Sequence, residues 1–188
     1  ILKKNIQRKE GILLTTNYNT IQKAHANDNY KVVQEYINNL YLIKKRKINI
    51  RLYLLIVCKL GIVKGYLYEK GKCIYTNKDV NDVNDVRVKD VSSVALSSID
   101  KETHLTSFNL DVNIYKTHPE TLEQLKKHLG DTQYNYLYQK IIILFKHLMI
   151  AIQGELCNLK NIDNVITFQL FGADIIFDND LHPYLLEL

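Results

Sequence analysis

The sequence predicts an α+β fold, a mostly antiparallel sheet with helices packed on it. Three observations predict it. Residues 168–188 (FQLFGADIIFDNDLHPYLLEL) hold two apolar runs, 168–177 and 184–188, around the turn-rich segment 178–183, the pattern of a β-hairpin with a slightly long loop. Residues 47–52 alternate polar and apolar, as a strand with two different faces does. Residues 119–159 carry apolar side chains at the wider spacing of amphipathic helices.

The bulk numbers bound the rest. A chain of 188 residues makes one ordinary domain or part of a larger one, and 46% hydrophobic with 24% charged residues is a globular composition. Lys+Arg 25 against Asp+Glu 20 gives +5, a mild basic excess that fits an acidic protein partner; no nucleic-acid or membrane partner is expected. Cys58, Cys73 and Cys157 are odd in number, widely spaced and without a CxxC, so they read as reduced thiols of an intracellular protein and not as a zinc site. The longest apolar run, 141–152, is broken by Lys146 and His147 and falls short of the ~20 residues a bilayer span needs. The first residues read as a strand and not as a signal peptide, and a cytoplasmic protein is expected.

In chain order, residues 1–4 form a short strand, 5–10 a polar loop and 11–14 a second strand. Residues 16–29 are a short helix plus loop, and 31–37 (KVVQEYI) a strand. The basic cluster 44–47 leads into a strand in which period 2 puts Lys47, Asn49 and Arg51 on one face and Ile48, Ile50 and Leu52 on the other. A polar face on a core strand calls for a polar ligand, although a solvated basic edge would read the same way. Residues 62–68, a turn at 69–71 and residues 72–75 are a strand pair. The polar tract 77–98 is a surface loop or insertion. Residues 119–130 (PETLEQLKKHLG) are a short helix opened by Thr121, Glu123 and Gln124 and stopped by Gly130. Asp131 is the expected N-cap of a core helix over 132–159, with Tyr136, Ile141, Leu144, Leu148, Ile152 and Leu156 on its apolar face.

The closing hairpin carries the sharpest chemical signal. Placing Phe177 opposite Tyr184 puts Asp174 opposite Glu187, two acids directly across from each other in apolar strands. Like charges so placed destabilise a sheet, and a buried carboxylate needs a counter-charge. A divalent metal, Mg²⁺ by preference for all-oxygen ligands, is one answer. The other is that one acid pairs with a lysine or arginine while its partner reaches solvent.

These segments together resemble the tubulin–tyrosine ligase-like family. The resemblance is carried by FQLFGAD and LLE at the closing hairpin, KVVQEYI at 31–37, the Lys-x-Asn-x-Arg of 47–51, His-Leu-Thr-Ser at 104–107, and the strand–loop–strand of 1–14. It implies an ATP-grasp fold, with residues 1–188 as the central and C-terminal part of the domain and without the family's N-terminal domain. It implies ATP and Mg²⁺ as cofactors. Asp174 and Glu187 match the family's Mg²⁺-binding acids, while the family's following Asn would fall one residue past Leu188. Lys3 aligns with the lysine on the nucleotide phosphates, its loop holding Gly11 where the family has more glycines, so that Arg8 or Lys9 could compensate. Gln34, Glu35, Tyr36 and Ile37 match the segment past the adenine. Lys47, Asn49 and Thr106 match nucleotide contacts, and Arg51 the catalytic arginine that neutralises transferred phosphate or acceptor carboxylate. His104 reads as structural.

Three departures stand out: Asn49 for the family's Asp, Ile74 for an Arg after the turn, and Ser107 for an Asn. The implied reaction is ligation of a free amino acid to an acidic protein acceptor, tubulin, through an acyl phosphate, with a cytoskeleton-associated location. The cluster 44–47 would suit an acidic tail. The alternative is an inactive ligase-like domain that binds nucleotide or a partner.

Overall fold

The computed structural model describes residues 1–4, 11–15, 17–26, 30–80, 101–157 and 165–188. They form two antiparallel sheets and four α-helices, the α+β class that the sequence predicts. Arg8 and Lys9 of the expected loop over 5–10, and positions 81–98 of the expected surface loop, lie outside the described residues.

The small sheet has the order β2-β1-β3, from β1 (Leu2–Lys3), β2 (Ile12–Leu13) and β3 (Val32–Val33). Helix α1 (Tyr18–Ala26) follows β2. The large sheet is built on β5 (Arg46–Lys59), flanked by β4 (Leu42–Ile43), β6 (Ile62–Leu67), β7 (Lys72–Tyr75) and β8 (Ile166–Phe177), with β9 (Pro183–Glu187) beyond β8. Two tight turns set its registers. Lys44 and Lys45 (φ 46° and 66°) join β4 to β5; Leu60 and Gly61 (φ 49° and 75°) join β5 to β6. Positive φ at both central residues is the two-residue hairpin geometry whose twist matches that of the strands it joins.

The strand pair expected from 62–75 is corrected here. β6 and β7 do not pair with each other: β6 runs along Leu54–Lys59 and β7 along Ile48–Arg51, both antiparallel to β5. The reversal happens earlier, at Leu60-Gly61, and the segment between β6 and β7 only breaks one continuous course. At that break a Cβ on Gly71 would lie 2.7 Å from the Arg51 carbonyl oxygen, so the chain hugs β5 as only glycine allows.

α2 (Lys101–His104) precedes a 3₁₀ turn at Val112–Lys116. α3 (Leu122–Leu129) opens with the Thr121/Gln124 capping box, so two orphan N–H groups are satisfied reciprocally, and it stops at Gly130 (φ 81°). α4 (Asp131–Ile152) starts at once, with Gly130 as its N-cap and no side-chain cap. Asp131 is therefore the first helical residue and not the cap, because a one-residue link between the helices leaves no position for it; its carboxylate pairs with Lys126 at 3.3 Å. The helix also ends at Ile152, short of 159. Its buried line is Leu137, Ile141 and Phe145, with Leu148 and Ile152 half-buried and Tyr136 exposed. Tyr136 belongs to the neighbouring face because the strict i, i+4 line runs from Leu137.

The core lies between α3, α4 and one face of the large sheet, where Ile48, Ile50, Leu52, Ile175 and Phe177 meet Leu125, Leu137 and Ile141. Fully burying each such side chain contributes about 1.5–3 kcal/mol. The thiol reading is corrected for two of three cysteines. Cys58 near the end of β5 and Cys157 after α4 form a disulfide, their Cα atoms 5.7 Å apart across 99 residues of sequence. Spacing along the chain carries no signal of that approach. Cys73 is free and buried in the core, which pushes its thiol up to about 12. Among the described residues no helix is long and apolar enough to cross a membrane.

Candidate active site

The two sheets face each other across a cavity of about 500 Å³. Its lining includes Lys3, Gln34, Glu35, Tyr36 and Ile37 from the small-sheet side, Thr106 after α2, and Lys47, Asn49, Arg51, Asp174 and Glu187 from the large sheet. These residues, each singled out in the sequence, therefore open on one space, which is of the size that ligand pockets usually have.

β5 supplies the floor. Its alternation sends Ile48, Ile50 and Leu52 into the core and Lys47, Asn49 and Arg51 into the cavity. Lys47 is 6% exposed and Asn49 2%, deep burial for polar side chains. Burial pushes the Lys47 ammonium down to about 8. Its Nζ lies 3.1 Å from His104 Nδ1 and 4.4 Å from the centre of the Tyr36 ring, and the Tyr36 hydroxyl lies 2.8 Å from the same Nδ1. His104, read from the sequence as structural, thus lines the cavity; only the fold brings α2 against Lys47. Asn49 Oδ1 is buried with no hydrogen-bond partner among the described residues, an acceptor left for a ligand's donor.

Arg51 reaches across to Asp174 as a fork, Nε to Oδ1 at 2.5 Å and Nη2 to Oδ2 at 2.7 Å. That hydrogen bonding raises the guanidinium's already high pKa. Its stem crosses Gly172, where a Cβ would stand 3.3 Å from Arg51 Cδ. Four strands place Lys72, Arg51, Asp174 and Glu187 in one transverse row, two cations followed by two anions.

The acids are opposed as the sequence predicts, but by a different route. Phe177 pairs with Pro183 and Ile176 with Tyr184, one residue off the expected register; a bulge between Asp174 and Ile175 then restores Asp174 opposite Glu187. The loop explains the offset. Asp178 Oδ1 accepts from the N–H groups of Asp180 and His182, Oδ2 accepts from the Tyr184 hydroxyl, and Leu181 turns through φ 57°. Asp178, Asp180 and His182 also cluster within 4.8 Å, yet both oxygens of Asp178 are engaged in holding that turn.

Of the two readings left open for the acids, the arginine pairing is present: Asp174 is 6% exposed and held by Arg51, while Glu187 is exposed. The donor set fits a hard divalent ion as well. A carboxylate has about four lone-pair sites, so the fork on Asp174 leaves room for a metal contact, and Glu187 adds oxygens from the next strand.

The small-sheet side is set by β1. The N–H of Gln34 donates to Ile1 O at 2.8 Å and its carbonyl accepts from the Ile1 amino group at 2.7 Å, which leaves only the Gln34 side chain for a ligand. The basic cluster 44–47 is divided by the fold. Lys44 and Lys45 are the exposed turn, Arg46 is tied to Asp79 at 3.0 Å and to the carbonyls of Thr76 and Asn77, and Lys47 alone enters the cavity. Ile74 pairs with Asn49 across β7 and β5. Ser107 takes φ 60° and its N–H donates to Tyr75 O at 2.8 Å. Lys4, Leu105, Ile176 and Leu186 also line the cavity and carried no chemical signal in the sequence, although Ile176 shares Asp174's face by period 2.

A family model described as "Tubulin-tyrosine ligase family" matches residues 1–188. The chain is 29% identical over 189 residues to a "Probable beta-tubulin polyglutamylase" of Tetrahymena thermophila, covering 95% of this chain and 15% of that protein. It is 28% identical over 171 residues to the "Probable tubulin polyglutamylase TTLL9" of Rattus norvegicus, covering 86% and 32%, and 27% identical over 177 residues to the Tetrahymena thermophila "Tubulin glycylase 3D", covering 89% and 16%. The chain spans about a third or less of the length of these relatives.

Proposed function

The chain belongs to the tubulin-tyrosine ligase family, and from that premise we propose that it is the nucleotide- and metal-binding part of a ligase that joins a free amino acid to a carboxylate of tubulin. The carrying observation is the single cavity onto which Lys3, Lys47, Arg51, Asp174 and Glu187 all open. The relatives' names, polyglutamylase and glycylase, support an amino-acid–tubulin reaction.

In this reading the γ-phosphoryl group of ATP passes to the acceptor carboxylate with ADP as the leaving group, and the amine of the incoming amino acid then displaces inorganic phosphate from the acyl phosphate and gives up a proton as the amide forms. Lys3 and Lys47 bind phosphate oxygens as point charges from the two sheets. Gln34, Glu35, Tyr36 and Ile37 hold the base, with Thr106 and the open Asn49 Oδ1 on donors of the nucleotide. Mg²⁺ on Asp174 and Glu187 would neutralise phosphate charge. Arg51, already fixed by Asp174, presents its remaining N–H groups to the developing charge, and its preorganised fork needs little reordering. No protein nucleophile takes part.

A second reading, a domain that binds nucleotide or a protein partner without turnover, is favoured by Asn49 and Ile74. These adjacent neutral residues stand on the sheet where the family has charged ones.

Thermal shift of the full-length protein with Mg·ATP, beside Glu187→Ala, tests the site. The expected result is a Mg²⁺-dependent rise in Tm that the variant lacks; no rise at saturating nucleotide overturns both nucleotide readings. Incorporation of labelled glutamate, glycine or tyrosine into tubulin then separates ligase from binding domain.

A further inference from the structure

We propose that His104 is a positioning residue that holds the buried cation Lys47 in place for the ligand. The inference rests on the nucleotide reading above. Three elements converge on this point: Lys47 from β5, Tyr36 from the segment after β3, and His104 at the end of α2. Lys47 is 6% exposed, and its Nζ meets the face of the Tyr36 ring at 4.4 Å and His104 Nδ1 at 3.1 Å. The Tyr36 ring stands edge-on to the imidazole, centroids 5.8 Å apart, and its hydroxyl meets the same Nδ1 at 2.8 Å.

An ammonium only donates, so Nδ1 serves Lys47 only as the unprotonated nitrogen, with the ring proton on Nε2. Without that acceptor the ammonium keeps the ring face alone, and a neutral amine or a rotated side chain becomes the cheaper state. Lys47 and Tyr36 face the imidazole at Nδ1. Its own helix carries Lys101 and Glu102, the latter bound to Lys78 at 3.0 Å and to Asn109 at 3.1 Å. The other ionisable side chains on the cavity are Lys3, Lys4, Glu35, Arg51, Asp174 and Glu187.

The role therefore has a signature that a purely structural histidine lacks. It sets the pH at which Lys47 loses its proton, and so the alkaline limb of nucleotide affinity. The test measures the affinity of the full-length protein for a fluorescent ATP analogue with Mg²⁺ across neutral to alkaline pH, for wild type, His104→Ala, His104→Asn and Lys47→Arg. The nucleotide-free melting temperature checks that each is folded. Wild type is expected to lose affinity as pH rises past about 8. His104→Ala is expected to bind about tenfold more weakly at neutral pH, with its limb moved to lower pH. His104→Asn, whose Oδ1 can accept in place of Nδ1, is expected to recover most of both, and Lys47→Arg to flatten the limb.

Unchanged affinity and limb in His104→Ala overturn the proposal. Equal weakening in His104→Ala and His104→Asn with an unmoved limb overturns it too, leaving His104 as packing only. A folded wild type that binds no nucleotide at any pH fails the nucleotide reading itself, and this inference with it; binding with an unmoved limb fails this inference alone.

Discussion

Along β5 and β8 the chain keeps one in–out alternation from end to end, yet the two halves of that strand pair carry opposite chemistry on the same face. In the inner half the face shows Lys47, Asn49, Arg51 and Asp174, and the first two and the last are nearly inaccessible to water. In the outer half it shows Leu170 and Phe168, 62% and 74% exposed, opposite Leu55 and Val57, with Tyr66 beyond Leu55 on β6. Polar groups are inside and apolar groups outside, the reverse of what burial favours. The covering elements make the difference: the small sheet and α2 close over the inner half, and none of the described elements closes over the outer. Exposed apolar side chains singly cost a surface little. Buried, unsatisfied polar groups cost several kcal/mol and persist where a ligand completes them.

The contrast can be broken experimentally. Leu52→Ala, under the inner half and fully buried, is expected to lose about 3 kcal/mol of stability in urea denaturation, while Phe168→Ala on the outer half changes it by less than about 0.5 kcal/mol. Comparable losses would mean that the outer half is also covered.

Lys47→Met is expected to stabilise the ligand-free protein by about 2 kcal/mol at neutral pH while abolishing the Mg·ATP shift, the trade expected of a buried charge kept for a ligand. The pH dependence follows from its depressed value. Between about 8 and 10.5 the unfolded chain binds a proton at Lys47 that the folded chain does not, so Lys47 makes stability rise with pH across that window, a rise that the raised Cys73 thiol opposes above about 9. The stability of wild type relative to Lys47→Met is therefore expected to rise with pH from about 8, since Cys73 is common to both; a difference that stays flat would show that Lys47 is not the group that titrates.

Asp178→Ala is expected to cost about 1 kcal/mol by releasing the turn that sets the β8–β9 register. Desolvation raises the Asp178 carboxyl, but the hydrogen bonds from the His182 N–H, the Tyr184 hydroxyl and the Asp180 N–H together outweigh it and hold the pKa below its usual 3.8. Its stabilisation is thus present above that value and lost as pH falls through the folded one. Acid denaturation curves of wild type and variant should converge at low pH.

A small effect on stability is expected from Gly172→Ala. Its added methyl presses on the Arg51 stem at 3.3 Å without touching the core, so stability changes by less than about 1 kcal/mol while the proposed ligation falls with the misplaced fork. Unchanged turnover would show that the stem yields and the fork does not.

Much of the cavity was legible because each strand's share of it is local. The alternation of 47–52 assigned Lys47, Asn49 and Arg51 to one face with no knowledge of neighbours, and the apolar runs around 178–183 announced the hairpin. Less legible were the features set by meetings between distant segments. His104 looked structural because nothing near it in sequence names Lys47, 57 residues away. Residues 62–75 looked like one hairpin because the reversal at Leu60-Gly61, with leucine at positive φ, carries a weak turn signal. The cysteines looked reduced because 99 intervening residues hide the closeness of Cys58 and Cys157.

The opposed acids show both sides of that division. The sequence by itself determined that Asp174 and Glu187 would lie in adjacent strands, since the polar-turn-and-apolar-run pattern of a hairpin is encoded within 21 residues. Only the tertiary structure decided how they came to be opposite, through the Asp178-centred turn and the compensating bulge, and which cation reaches them first. Arg51 is 123 residues from Asp174 in sequence and adjacent in the sheet. Strand period is a property of the backbone, readable from any short stretch; a charge pair between strands depends on registers that only the packed sheet fixes.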